Sequence, residues 1–288
     1  YCVAGRRLGD LLEAILTPRD FESTREQAGL GEANGLFEMP GIWNDWPEPE
    51  RGVGGIGFAT FRTRVTLPAG MERGALRLHP ASTAYRLWAN GRLIADSGVP
   101  GRSASETTPH YRVETALFTA PQNTLELVLQ VSNFHHRRGG MWRPIELGTI
   151  ELIESKETLE VAYDLLLTGS FLGLALYNLL TFRSAGRRGR APLYLALLFA
   201  VLALRISMMG QMMVTRLVPG FPWTAQLRIE YLTAHLALLA LTLTLHAIYP
   251  SLIGRRITLT ATGLTTVNTL SVLGLPVLLY SRVVAYYV

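Results

Sequence analysis

Four long apolar stretches fill the second half of the chain, and the first half has none. Residues 159–182 carry only Glu160 and Asp164 and no charge after the latter, 192–214 only Arg205, 224–249 only Arg228 and Glu230, and 257–280 none at all. Each exceeds the about 20 residues that an α-helix needs to cross about 30 Å of hydrocarbon. A buried helix of a water-soluble protein can be as apolar, but four in succession joined by short loops do not fit inside one soluble domain. The pattern therefore predicts four membrane-spanning helices within a transmembrane domain over 156–288.

The first half follows a different period. In "GFATFRTRVTLP" (57–68), Ala59, Phe61, Thr63, Val65 and Leu67 alternate with Phe58, Thr60, Arg62, Arg64 and Thr66, the mark of a strand with one buried face. "NTLELVLQVSNF" (123–134) alternates again, with Leu125, Leu127, Leu129 and Val131 on one side. Between them "STAYRLWANGRLIADSG" (82–98) places Asn90-Gly91 between two strand-like runs, and Asn-Gly suits a type I′ hairpin because both central residues need positive φ. Short strands punctuated by Gly and Pro predict a β-sandwich or jelly roll over 36–155, preceded by a partial N-terminal segment of the same domain over 1–35. The expected fold class is thus multi-domain: an all-β sandwich followed by an all-α bundle.

Charge changes the picture by being unevenly divided. Residues 1–155 have a net charge of −2 and residues 156–288 one of +7, which together give the formal +5. The basicity belongs to the apolar half rather than to a folded face or tail, which argues against a nucleic-acid partner and for a membrane. Arg183, Arg187, Arg188 and Arg190 crowd the first loop and Arg255 and Arg256 the third, whereas the second holds only Arg216. Basic loops stay cytoplasmic on insertion, so loops one and three are expected inside. The second loop, with Phe221 and Trp223, is then expected at the outer interface, and everything before residue 159 outside the cytoplasm. Contact of the basic loop with anionic lipid headgroups is compatible with that role.

Together "MPGIWND", "GGIGFATFRTRVTLP", "AYRLWANGRLIADSG" and "VSNFHHRRGGMWRPIELG" resemble the galactose-binding-like extracellular domain of the bacterial seven-transmembrane receptors with diverse intracellular signalling modules. "LLEAILTPRDF" ahead of them and "GSFLGLALYNLLTF" after them resemble the flanking segments of that family. The resemblance implies a multi-pass protein of the bacterial inner membrane with a periplasmic jelly roll. It also implies seven helices, of which four are present, and a cytoplasmic output module of cyclase, kinase or phosphatase type that this chain does not contain. A chain that begins at Tyr1 without a signal peptide and stops at Val288 is accordingly expected to be a fragment. The implied function is a receptor whose periplasmic domain binds a small polar or carbohydrate-like ligand. Two alternatives stand beside it: a transporter or channel component, and an envelope scaffold that binds a protein or glycan without signalling. A homodimer is compatible with any of these.

Candidate chemistry is sparse. Cys2 is the single cysteine, so neither an internal disulfide nor a cysteine-based zinc site is available. "GVGGIG" (52–57) leads into a strand rather than a helix, which is the wrong setting for a dinucleotide loop. No catalytic motif appears, so no enzyme activity and no cofactor are expected of this chain. The ligand-binding candidate is "NFHHRRGGMWRP" (133–144), where His135, His136, Arg137, Arg138 and Trp142 combine donors with an aromatic plane. The same loop reads equally as structural, and metal binding is the weakest alternative because no carboxylate falls at ligand spacing. Within the membrane, Asp164, Arg205, Arg228 and Glu230 all lie toward the outer leaflet. A deep arginine needs a partner, so Arg205 is expected to face Glu230 and Asp164, with snorkelling of Arg228 and Asp164 as the alternative. His235 and His246 read as packing residues.

Overall fold

The computed structural model describes residues 55–121, 123–184 and 189–284, together with 2–3, 6–7, 22–24, 33–36, 41–42 and 44. "LLEAILTPRDF", most of "MPGIWND", and Arg187 and Arg188 lie outside the described residues. The chain divides into two compact units, Tyr1–Glu157 and Thr158–Val288.

The first unit is built from strands. They are β1 (Cys2–Val3), β2 (Arg6–Arg7), β3 (Glu22–Thr24), β4 (Ala33–Leu36), β5 (Gly41–Ile42), β6 (Gly57–Thr66), β7 (Arg73–Leu78), β8 (Ala81–Ser82), β9 (Ala84–Ala89), β10 (Arg92–Ser97), β11 (Glu114–Thr119), β12 (Thr124–Asn133), β13 (Gly140–Met141) and β14 (Glu146–Gly148). A six-stranded sheet runs β10-β9-β12-β6-β3-β4, and a three-stranded sheet runs β11-β7-β14. The period-two pattern decides which face each residue takes. Phe61, Leu125, Leu127, Leu129, Tyr85 and Leu87 leave the large sheet on one side and meet Leu76, Leu78, Phe118 and Leu147 of the small one in a single core. A third sheet, β5-β13-β8, lies between segments distant in sequence. Asn90 and Gly91 close the β9–β10 hairpin with φ of 48° and 78°, the two positive angles that a type I′ turn requires.

The second unit is helical, and the bounds of its first, second and fourth expected helices differ from expectation. Helix α1 spans Ile150–Ser184, nine residues earlier than the expected start at 159. Thr149 caps it, its Oγ1 accepting from the Leu152 amide at 3.3 Å, and Glu151 favours the positive end of the helix dipole. Helix α2 (Ala191–Met209) stops five residues short of 214, after which Met212 adopts a left-handed conformation before the short α3 (Met213–Leu217). At Gly210 the Asp164 carboxylate lies where a Cβ would stand, so the chain turns there on a glycine. Helix α4 spans Trp223–Ile248, and Trp223 at its start is buried within the unit.

The expected fourth span, 257–280, is not one helix. It divides into α5 (Arg255–Gly274) and α6 (Val277–Val284) around Leu275 and Pro276. Proline has no amide to donate and clashes with the preceding turn. Among the described residues, α1, α2 and α4 are the three helices long and apolar enough to cross a membrane. The threonines along α5, Thr258, Thr260, Thr262, Thr265, Thr266 and Thr269, leave it less apolar than the others.

Candidate functional site

The turn after β12 is organised around one buried amide. Asn133 faces the carbonyls of Gly55, His136 and Arg138 with its Nδ2, and its Oδ1 accepts from the amides of His135 and His136. A side-chain amide with two donors and an acceptor can hold several main-chain groups of an irregular loop at once. Asn44 holds the other side, donating to the Arg137 carbonyl at 3.0 Å and accepting from the Gly139 amide at 3.1 Å. The loop is thereby folded from within.

His136 is 2% exposed. The Arg138 amide donates to its Nδ1 at 3.2 Å, and Ser82 Oγ stands 3.4 Å from the same nitrogen and 3.1 Å from the Tyr111 hydroxyl. Burial pushes the His136 imidazole down to about 4, the Arg138 carbonyl 3.2 Å from Nδ1 partly offsets this by favouring a ring proton, and the charges of Arg137 and Arg138 add to the lowering. His136 is therefore a neutral packing residue at physiological pH. Its ring centroid lies 5.5 Å from that of Trp142, which meets Tyr111 edge-on at 6.2 Å. His135 is half-buried, and burial lowers its pKa also.

Of the five ligand-binding candidates, the structure brings His136 and Trp142 together, with Tyr111 and Ser82 as partners that the sequence did not single out. Arg137 and Arg138 serve the loop through their main-chain carbonyls, and Trp142 presents its outer part to solvent. Among the described residues, no group of three or more His, Cys, Asp or Glu is placed to hold a metal.

A groove of about 410 Å³ opens elsewhere on the β unit. Its floor is Phe58, Ala59 and Thr60 of β6 with Gln130 and Val131 of β12, and its wall is the segment Pro100, Gly101, Arg102 and Glu106. The wall is held to the sheet, since the Gly101 amide donates to Ser132 Oγ at 3.2 Å and Thr107 Oγ1 lies 3.2 Å from the same hydroxyl. The Arg102 amide donates to the Glu106 carboxylate at 2.9 Å. None of the five candidates of the 133–144 loop lines this groove.

The β unit also grips the first turns of α1. Arg77 of β7 has a side chain with no exposure at all, and its Nη1 lies 2.9 Å from the Glu157 carboxylate, to which Thr115 Oγ1 also donates at 2.6 Å. Glu146 meets Lys156 at 2.5 Å and His79 at 3.8 Å. Burial alone would raise the pKa of Glu146, but hydrogen bonds from His79 and Lys156 outweigh it and hold the carboxyl at about 2. Ile153 is buried against Gly148 between these pairs. Nothing in a period-two reading marks Arg77 as buried, because its partner stands 80 residues away.

In the helical unit, Arg205 does not pair with a carboxylate through a direct bond. Its Nη1 donates to the main-chain carbonyl of Glu230 at 2.8 Å and lies 3.4 Å from Thr233 Oγ1. Asp164 accepts instead from the Gln211 amide, and Gln211 Nε2 donates to Glu160 at 2.9 Å. The expected single cluster is therefore two sets: Arg205 with Glu230 and Thr233, and Asp164 and Glu160 with Gln211. The reason is local, because the turn after α2 brings main-chain donors to Asp164, while Thr233 and the Glu230 carbonyl share one side of α4. His235 Nδ1 donates to the Tyr231 carbonyl, 2.7 Å away, one turn back along its own helix.

No protein-family model matches the chain, and no curated protein matches it. Among solved structures, it is similar to a β-glucuronidase from Ruminococcus gnavus, with 14% identity, a TM-score of 0.34, and coverage of 44% of this chain and 26% of the other. It is also similar to a putative β-galactosidase from Bacteroides fragilis, with 14% identity, a TM-score of 0.33, and coverage of 46% and 22%. A GH2 β-galacturonidase from Eisenbergiella tayi gives 14% identity, a TM-score of 0.33, and coverage of 45% and 22%. The chain spans about a quarter of the length of these proteins.

Proposed function

We propose that the chain is the sensing part of a bacterial inner-membrane receptor. In this reading the β unit is a periplasmic, galactose-binding-like jelly roll that takes a small polar or carbohydrate-like ligand. The helices pass the binding event to a cytoplasmic output module of cyclase, kinase or phosphatase type carried elsewhere in the full-length protein. One observation carries the reading. Helix α1 starts inside the β unit, capped by Thr149 and fixed by Ile153, Lys156 and Glu157, and continues unbroken to Ser184 through a stretch long and apolar enough to span a bilayer. At 1.5 Å per residue its 35 residues run about 52 Å, and in this reading a shift of its first turns is the signal that reaches the far end.

The orientation follows from the arginines of the loop after α1, which favour the cytoplasmic side. The test has two arms. With Cys2 replaced by Ser, a cysteine placed at the exposed hairpin position Asn90 should react with a membrane-impermeant maleimide in cells whose outer membrane alone has been permeabilised. A diguanylate cyclase joined to the chain in the third loop, after Ser251, which the same rule places inside, should change its output when α1 is released by Glu157→Gln. Labelling of position 90 only after lysis of the inner membrane would refute the topology. Output indifferent to Glu157 would refute the transmission route.

A further inference from the structure

We infer that the outer face of the six-stranded sheet is a binding site for an extended neutral oligosaccharide, laid diagonally from Phe58 on β6 across Gln130 on β12 to Trp88 on β9. The inference rests on the reading of the β unit as a ligand-binding module, and it places the site away from the 133–144 loop.

Register establishes the shared face. Gln130 stands opposite Thr60 on one side and Arg86 on the other, Phe58 is opposite Ser132, and Trp88 is opposite Val128. Directly opposed residues project to the same side of a sheet, so Phe58, Thr60, Arg86, Trp88, Val128 and Gln130 share the face turned away from the core. Each step of the diagonal moves two residues along a strand and one strand across. With about 3.3 Å per residue and about 4.8 Å between strands, Gln130 stands about 8 Å from each aromatic position, and the line is about 16 Å long. That length suits a chain of several pyranose rings rather than one.

The chemistry along the line is that of a sugar site. Phe58 is 37% exposed at the mouth of the groove, giving a flat apolar surface for the C–H face of a ring. Thr60 and Gln130 on the floor supply a hydroxyl and an amide, each able to donate and accept, as ring hydroxyls demand. The groove's charged groups are Arg102 and Glu106, which sum to zero. Beyond Val128, Arg62 and Arg64 are both engaged by Glu126, at 2.6 and 3.0 Å. With Arg86 opposite Asp96 of β10, the four arginines of this face stand against Glu106, Glu126 and Asp96, a net of +1 spread over the sheet rather than a cluster for a phosphate or polyuronate. The wall from Pro100 to Glu106 is already fixed through Ser132, so binding need not order it.

The experiment uses the full chain in nanodiscs, with calorimetric titration of cellohexaose, maltohexaose, xylohexaose and chitohexaose. Tri-galacturonic acid and inorganic phosphate serve as charged comparators, and amide hydrogen exchange is read over 58–60, 99–107 and 128–131. At least one neutral hexasaccharide should bind, more tightly than its monosaccharide, and should slow exchange in those three segments. Phe58→Ala and Gln130→Ala should each weaken it about three- to tenfold with unchanged thermal melts, since both side chains face outward. Trp142→Ala should leave it unaltered. Failure of every neutral hexasaccharide to bind at millimolar concentration, or tighter binding of the charged comparators, would overturn the inference. Saccharide binding that is insensitive to Phe58 and Gln130 but lost in Trp142→Ala would also overturn it, while leaving the β unit a ligand-binding module. The receptor reading fails separately, on the labelling and output assays.

Discussion

Replacing Glu157 by Gln removes the carboxylate from a cation that has no access to solvent. The Arg77 side chain is fully buried, whereas that of Glu157 retains 25% exposure. Breaking a buried pair by deleting one partner costs about 3–5 kcal/mol, most of it from the charge left behind. The partial exposure of Glu157 places this case at the lower end, about 3 kcal/mol, because water can approach the vacated site. For a unit of this size each kcal/mol moves the melting temperature by about 2–4 °C, so Glu157→Gln should lower it by about 6–12 °C. The assay is thermal unfolding of the detergent-solubilised chain followed by circular dichroism in the β region. The double variant Arg77→Met with Glu157→Leu should recover most of the loss, since a packed apolar pair can replace a buried ion pair at little cost. A shift below about 2 °C in the single variant, or no recovery in the double, would show that Arg77 is held by other contacts and that the grip on α1 is not electrostatic.

Three further outcomes follow from the geometry. His136 has a folded pKa near 4 against an ordinary 6.5, so the unfolded chain binds the extra proton and stability falls as pH drops from 6.5 toward 4, by about 3 kcal/mol at the acid end; His136→Gln should flatten that part of a denaturation profile, and an unchanged slope would count against a buried neutral imidazole. Asn133→Ala should destabilise the β unit by several kcal/mol in urea titration, because five main-chain groups lose their shared partner, whereas Asn44→Ala, at an exposed position, should cost about 1 kcal/mol. In the helical unit, Arg205→Leu should weaken packing of α2 on α4 by about 1–2 kcal/mol, while Glu230→Gln should be tolerated, since Arg205 bonds to the Glu230 main chain; rescue of Arg205→Glu by Glu230→Arg in a steric-trap unfolding assay would show a side-chain pair instead.

What the sequence determined by itself is whatever rests on local periodicity and on single-residue backbone preference. Alternation of Phe61, Val65, Leu125 and Leu129 with polar neighbours fixed which sheet face is buried, because a strand turns successive side chains to opposite sides. Asn90-Gly91 fixed a hairpin because few residue pairs take two positive φ angles. Unbroken apolar runs marked α1, α2 and α4. The charges at Lys156, Glu157 and Glu160 masked a helix that begins before the apolar run does, at the Thr149 cap. Pro276 carried the signal for the break in the fourth stretch, where hydropathy alone read through it.

What only the tertiary structure decided is which polar groups meet. His136 reads in a string of letters as one donor among five, yet the structure buries it with Ser82 and the Arg138 amide at its ring. Arg77 reads as a solvent-facing strand residue until Glu157 arrives from a helix 80 residues on. Arg205 finds a carbonyl rather than the carboxylate that charge complementarity suggested. Desolvation explains all three. The cost of burying a polar group depends on where its partner stands in space, and sequence separation says nothing about that distance until the core has closed.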